Sequence, residues 1–186
     1  MLSRIHEIPD QTGRTVIVTG ANSGIGLAAA EALAMKGAEV VLACRDRERG
    51  EAAVRFINGH VGDQNATFAP LDLADLRSVG EFTTAFVEKS SRLDLLINNA
   101  GVMSLPNREL TMDGFEMQLG VNHLGHFALT GQLLRLLLDT PSSRVVTLAS
   151  HMHRFGELDF DDLRSDFSYS PVGAYSRSKL ANLLFT

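Results

Sequence analysis

The 186-residue chain lacks most of the features that would place it in a specialised class. Its single cysteine, Cys44, rules out an intrachain disulfide, and no long basic run accompanies the 17 Lys+Arg and 22 Asp+Glu. With a net charge of -5, the electrostatic footprint of a nucleic-acid binder is missing, so no nucleic-acid partner is expected. The opening stretch, Met1 to Asp10, carries His6, Glu7 and Asp10 where a secretory signal needs an apolar core. The longest apolar region, Leu124 to Leu138, is interrupted by His126, Gln132 and Arg135, well short of the roughly 20 apolar residues of a membrane span. A core helix, no membrane span and a reducing, cytoplasmic setting are therefore expected. There is also no internal repeat, low-complexity segment or Pro/Gly-rich linker to divide residues 1–186 into two domains.

What is present is a regular alternation. β-Branched runs at Thr15 to Thr19, Glu39 to Ala43, Ala66 to Pro70, Leu93 to Asn98 and Arg144 to Ser150 have the length of buried parallel strands. Between them lie helical patterns: Ile25 to Met35 closes at Gly37, and Leu76, Val79, Phe82, Phe86 and Val87 recur at three- and four-residue steps. Alternating strands and helices of this size predict right-handed crossovers and an α/β, doubly wound parallel sheet.

Directly after the first strand stands Thr19-Gly20-Ala21-Asn22-Ser23-Gly24-Ile25-Gly26, with a helix starting on its last glycines. Glycine permits positive φ and close backbone approach, and the N-terminus of a helix offers free N–H groups, so the turn is built to receive a pyrophosphate. The alternative for three glycines alone is a turn that only packs helix on strand. The spacing G-x-x-x-G-x-G also differs from the common dinucleotide pattern G-x-G-x-x-G.

Thr19 to Gly26 resembles the T-G-x-x-x-G-x-G fingerprint of the short-chain dehydrogenase/reductase family, and further family marks follow in order. Asn98-Asn99-Ala100-Gly101 ends the fourth strand, Asn122 sits in Val121-Asn122-His123, Ser150 ends the fifth strand, and Tyr175-Ser176-Arg177-Ser178-Lys179 matches Y-x-x-x-K. The resemblance implies a Rossmann-type sheet and a dinucleotide held by Gly20, Asn22, Ser23, Gly24, Ile25 and Gly26 at the turn. It adds Asp72 and Leu73 at the adenine, and Asn99, Ala100, Gly101, Tyr175 and Lys179 further along the cofactor. The second strand ends at the adenosine ribose, where an acid binds a 2′-hydroxyl and an arginine accommodates a 2′-phosphate. That corner reads Ala43-Cys44-Arg45-Asp46, so Arg45 favours NADP(H) over NAD(H), while Asp46 is either a ribose ligand or a helix N-cap.

Tyr175 and Lys179 are one helical turn apart, with Cβ atoms about 5–6 Å from each other. A free phenol, with a pKa near 10, is a poor base at neutral pH, and an adjacent ammonium favours its ionised form. By resemblance, Tyr175 is the general acid/base for hydride transfer between nicotinamide and a carbonyl or alcohol, and Ser150 bonds the reacting oxygen. Lys179 then holds the nicotinamide ribose, and Asn122 holds a water in the proton path. Taken singly, each has a plainer role: a surface pair for Tyr175 and Lys179, a strand-end hydroxyl for Ser150, a helix kink for Asn122.

His151-Met152-His153 lacks a third ligand for a metal, and Ser150 lacks the G-x-S-x-G elbow of a hydrolase. His123 and His126 are expected to be packed or hydrogen-bonded structural residues. The 24 residues between Ser150 and Tyr175, with Phe155, Phe160, Phe167 and Tyr169, are expected to sit beside the substrate. Their wording, with Ala174 to Asn182, is similar to the retinol dehydrogenase and WW-domain oxidoreductase branch, which implies an apolar small-molecule substrate. The family continues beyond a position equivalent to Thr186, so its later strands and helices are expected to be missing from this chain, and family members are commonly homo-oligomers. Two other readings remain: a catalytically impaired or regulatory dinucleotide-binding protein, and an NAD-dependent epimerase or dehydratase, which shares Tyr-x-x-x-Lys.

Overall fold

The computed structural model describes residues 5–62 and 64–186, so Met1 to Arg4 of the polar opening stretch lie outside the described residues. Five parallel strands, β1 (Thr15–Thr19), β2 (Glu39–Cys44), β3 (Ala66–Pro70), β4 (Leu95–Asn98) and β5 (Arg144–Thr147), form one sheet in the order β3-β2-β1-β4-β5. β1 is central and every one of its residues is buried, which is why Thr-Val-Ile-Val-Thr reads as a continuous rather than an alternating run. Val16 and Val18 face helices α1 (Gly24–Ala34) and α2 (Arg47–Val61), meeting Ala30, Ala34, Ala53 and Ile57. Ile17 faces the other layer, where α3 (Leu76–Lys89) and α5 (Gly125–Asp139) bring Val79, Phe82, Phe86, Leu129 and Leu133. The middle of the sheet is thus covered on both faces, as the strand-helix alternation predicts, whereas at the β5 edge Val145 and Val146 are exposed.

Helix boundaries follow local chemistry. The Asp46 side chain caps α2 by accepting the Arg49 N–H at 3.0 Å, and Gly62 closes it with φ 80°. Asp75 caps α3, accepting from the N–H groups of Arg77 and Ser78. Along α3, Val79, Phe82 and Phe86 are buried, but Val87 is exposed. The long apolar region, Leu124 to Leu138, lies almost wholly in α5, preceded by a short helix α4 (Met117–Leu119) and a π-turn over Gly120–Leu124. Last comes α6 (Pro171–Phe185), with Pro171 in its first turn and Ser170 as its cap. Among the described residues no helix is long and apolar enough to cross a membrane.

Two strands are shorter than their apolar runs. β4 begins at Leu95, because Asp94 turns inward to accept the Thr15 N–H and two Arg92 donors. β5 ends at Thr147, three residues before Ser150, which instead caps a 3-10 helix over His151–Phe155.

Candidate active site

A cleft of about 600 Å³ opens at the carboxyl ends of the strands. One wall is the turn from Gly20 to Gly26. Gly20 and Gly24 adopt φ 64° and 57°, a left-handed conformation that side chains resist. A Cβ on Gly20 would come within 2.9 Å of the Ala100 Cα, and one on Gly26 would collide with the Asn99 amide. These glycines therefore seat the turn against Asn99 and Ala100 as much as they clear a path for a ligand. Ser23 precedes α1 without a side-chain cap, which leaves the first N–H groups of that helix with no side-chain acceptor from its cap, and Ser23, Ile25 and Gly26 line the cleft.

Gly20, Asn22, Ser23, Ile25, Gly26, Arg45, Asp72, Leu73, Asn99, Ala100, Gly101, Ser150, Tyr175 and Lys179 all line this one cleft. Two anticipated residues do not. Gly24 is exposed but not in the lining, and Asn122 is fully buried. Asn122 accepts the Val102 N–H at 2.8 Å, and its amide donates to the Val102 carbonyl and to the Ser178 hydroxyl, both at 2.9 Å. Lying inside the π-turn, it is a kink residue whose side chain fastens the loop after β4 to α6.

Lys179 is buried and donates from Nζ to the Leu148 carbonyl at 2.9 Å, with Nζ 5.8 Å from the centre of the Tyr175 ring. Burial pulls its ammonium below the usual lysine range. The Ser150 hydroxyl accepts the Met152 N–H at 3.3 Å, leaving its proton for another acceptor. At the other end, the Cys44 thiol is pushed up by burial, against the opposing N–H groups of Ala21 and Asn22. Arg49 also lines the cleft; its signal in the sequence was its spacing, one turn after Arg45 at the start of α2. Asp46 is committed to the helix, capping it and pairing with Arg49 Nε at 3.5 Å.

The segment between Ser150 and Tyr175 departs from expectation. Beyond Ser150 none of it lines the cleft. Leu158, Phe160 and Leu163 instead line a separate groove of about 380 Å³ against α5 and α6, and Phe155 and Phe167 are exposed. Arg177 holds the segment there, donating to the carbonyls of Glu157 at 3.2 Å and Asp162 at 3.0 Å and to the Ser165 hydroxyl at 3.0 Å. Arg177 is half-buried and so fastens these residues to α6. Tyr169 donates its hydroxyl to the Leu105 carbonyl at 2.7 Å. Among the described residues no group of three or more His, Cys, Asp or Glu is arranged for a metal.

The family model described as short chain dehydrogenase matches residues 14–160. The chain belongs to the short-chain dehydrogenase family. It is 49% identical over 184 residues to retinol dehydrogenase 14 of Mus musculus and 50% identical over 175 residues to retinol dehydrogenase 13 of Homo sapiens. In each case 94% of this chain is covered, against 55% and 53% of those proteins, so the chain spans about half the length of the curated relatives it matches. Among solved structures, an uncharacterised protein from Mycobacterium paratuberculosis is similar at TM-score 0.87 and 47% identity, over 98% of this chain and 63% of that one. A short-chain dehydrogenase from Escherichia coli CFT073 complexed with NADPH is similar at TM-score 0.75 and 28% identity, over 94% of this chain and 69% of that one.

Proposed function

We propose that the chain carries the dinucleotide seat and the acid/base residues of an NADP(H)-dependent oxidoreductase acting on an apolar carbonyl or alcohol. The observation that carries this reading is that a single cleft joins the glycine turn to Ser150, Tyr175 and Lys179. The fit of a dinucleotide rests on that turn, where Gly20 and Gly26 leave no room for a Cβ, Gly24 takes a left-handed φ, and the following helix has no side-chain cap on its first N–H groups, which suits a pyrophosphate.

Arg45 and Arg49 are the cations at the ribose corner, and two guanidiniums there suit a 2′-phosphate. Asp46 does not compete for a ribose hydroxyl while it caps α2 and pairs with Arg49. Bound nicotinamide would supply or accept the hydride, and the protein supplies position and protons. Tyr175 gives a proton to the carbonyl oxygen in reduction and removes one from the alcohol in oxidation. Lys179 supplies a positive charge beside the phenol, and Ser150 donates to the same substrate oxygen and orients it. Asn122 acts at one remove, holding Val102 and Ser178 and hence the cleft floor against α6. The names of the retinol dehydrogenases, together with Val102, Met103, Met117, Val121 and Leu148 in the lining, support an apolar substrate.

The test is a panel of apolar aldehydes and ketones mixed with NADPH or NADH, following absorbance of the reduced nicotinamide. Consumption of NADPH in preference to NADH, lost in Tyr175→Phe, supports the reading. Turnover untouched by Tyr175→Phe would sink it.

A further inference from the structure

One histidine lies between the two halves of the cleft. His126, in the first turn of α5, is 1% exposed. Its Nδ1 is 3.0 Å from the backbone carbonyl of Asn122, and its Nε2 is 2.8 Å from the Thr19 hydroxyl. A carbonyl can only accept, so Nδ1 carries the proton. The Thr19 oxygen already receives the N–H groups of Asn99 at 2.9 Å and Ala100 at 3.0 Å, which fill its lone pairs. Its own proton therefore goes to Nε2, the nearer of two acceptors, since the Ile97 carbonyl is 3.3 Å away. The partners alone define a neutral imidazole in one tautomer.

The two partners serve different ends of the site. Thr19 leads into the glycine turn and pins Asn99 and Ala100 at the cleft wall. Asn122 holds Val102 and the Ser178 hydroxyl, and that hydroxyl donates to the Tyr175 carbonyl at 2.7 Å. Thr19, His126, Asn122, Ser178 and Tyr175 thus form an unbroken run of hydrogen bonds from the end of β1 to α6.

We propose that His126 is a positioning residue that couples the dinucleotide seat to the helix carrying Tyr175 and Lys179. The proposal rests on the reading that the cleft takes a dinucleotide. Its two nitrogens have separable tasks. Asparagine places an amide near the Nδ1 position and keeps the donor for Asn122, whereas glutamine reaches the Nε2 position and keeps an acceptor for Thr19.

The test combines nitrogen NMR of the histidines in the parent chain with NADPH titration and amide exchange of His126→Asn and His126→Gln. The expected parent spectrum shows a protonated Nδ1 and a bare Nε2 at His126. His126→Asn is expected to weaken NADPH binding about tenfold while protection of Val102 and Ser178 stays near parental; His126→Gln reverses the pattern. A protonated Nε2 in the parent, or equal NADPH affinities and equal exchange in the two variants, overturns the coupling. Should the parent bind no NADPH, the cofactor reading fails, and the tautomer with the exchange pattern still decides the role of His126.

Discussion

The ammonium of Lys179 lies 5.8 Å from the centre of the Tyr175 ring while donating to the Leu148 carbonyl at 2.9 Å. One turn of α6 thereby brings a buried cation and a half-buried phenol to the same wall of the cleft, and the loop after β5 holds the cation in place. Removing the phenol oxygen should abolish proton transfer without disturbing the fold. Tyr175→Phe is expected to lower kcat by about 10²–10⁴-fold while NADPH affinity, read by calorimetry, changes by no more than about threefold.

Arg45 and Arg49 make a prediction about cofactor choice. Replacing both with alanine is expected to weaken NADPH binding about 10–100-fold, the loss of about 1.5–3 kcal/mol from charge-assisted contacts, with little effect on NADH. Paired titrations check this, and an equal loss for both cofactors would place the arginines elsewhere than at a 2′-phosphate.

His126 makes the protein sensitive to acid. Burial lowers its pKa to about 4 from an ordinary value of 6.5, and the nearby positive groups Lys179 and His123 act in the same direction. The Asn122 carbonyl opposes this, and Thr19 is neutral. Because the folded pKa is depressed, the unfolded chain takes up the proton first as pH falls below 6.5. Stability is complete above that value and declines by up to about 1.4 kcal/mol per pH unit until the folded form also titrates near pH 4. Urea unfolding at pH 7.5 and 5.5 should show a loss of about 1 kcal/mol that is absent in His126→Leu.

Much of this arrangement is legible in the sequence. β1 and the glycine turn are, because four apolar or β-branched residues, Thr15 to Val18, followed by Thr-Gly admit few structures other than a buried strand and a phosphate turn. The parallel doubly wound sheet and the meeting of Tyr175 with Lys179 follow from alternation and helical spacing. Asn122 is less readable: its residue type signals a site, but only the π-turn shows that its side chain is spent on Val102 and Ser178. The placement of the segment after Ser150 is not readable, because the bonds of Arg177 to Glu157, Asp162 and Ser165 have no local sequence pattern. His126 is identifiable as buried from its place in an apolar helix, whereas its bond to Thr19 joins residues 107 positions apart.

Asp94 anchors the amino ends of β1 and β4. Burial would raise its carboxyl pKa, but the Arg92 fork and the Thr15 N–H outweigh that and hold it below the usual range. Its contribution is therefore present at neutral pH and lost as pH falls through the depressed folded pKa. Asp94→Asn is expected to destabilise the chain by about 1–3 kcal/mol at pH 7, measured by urea unfolding, without altering NADPH affinity in the folded fraction.

A nicotinamide seated in the cleft against Tyr175 is directly measurable, because the chain has only two tyrosines. With tyrosine rings selectively labelled, addition of NADPH should produce a nuclear Overhauser effect between the nicotinamide C4 protons and the ring of Tyr175, retained in Tyr169→Phe. NADPH binding with perturbation at Gly20 to Gly26 but no contact to Tyr175 would contradict the account.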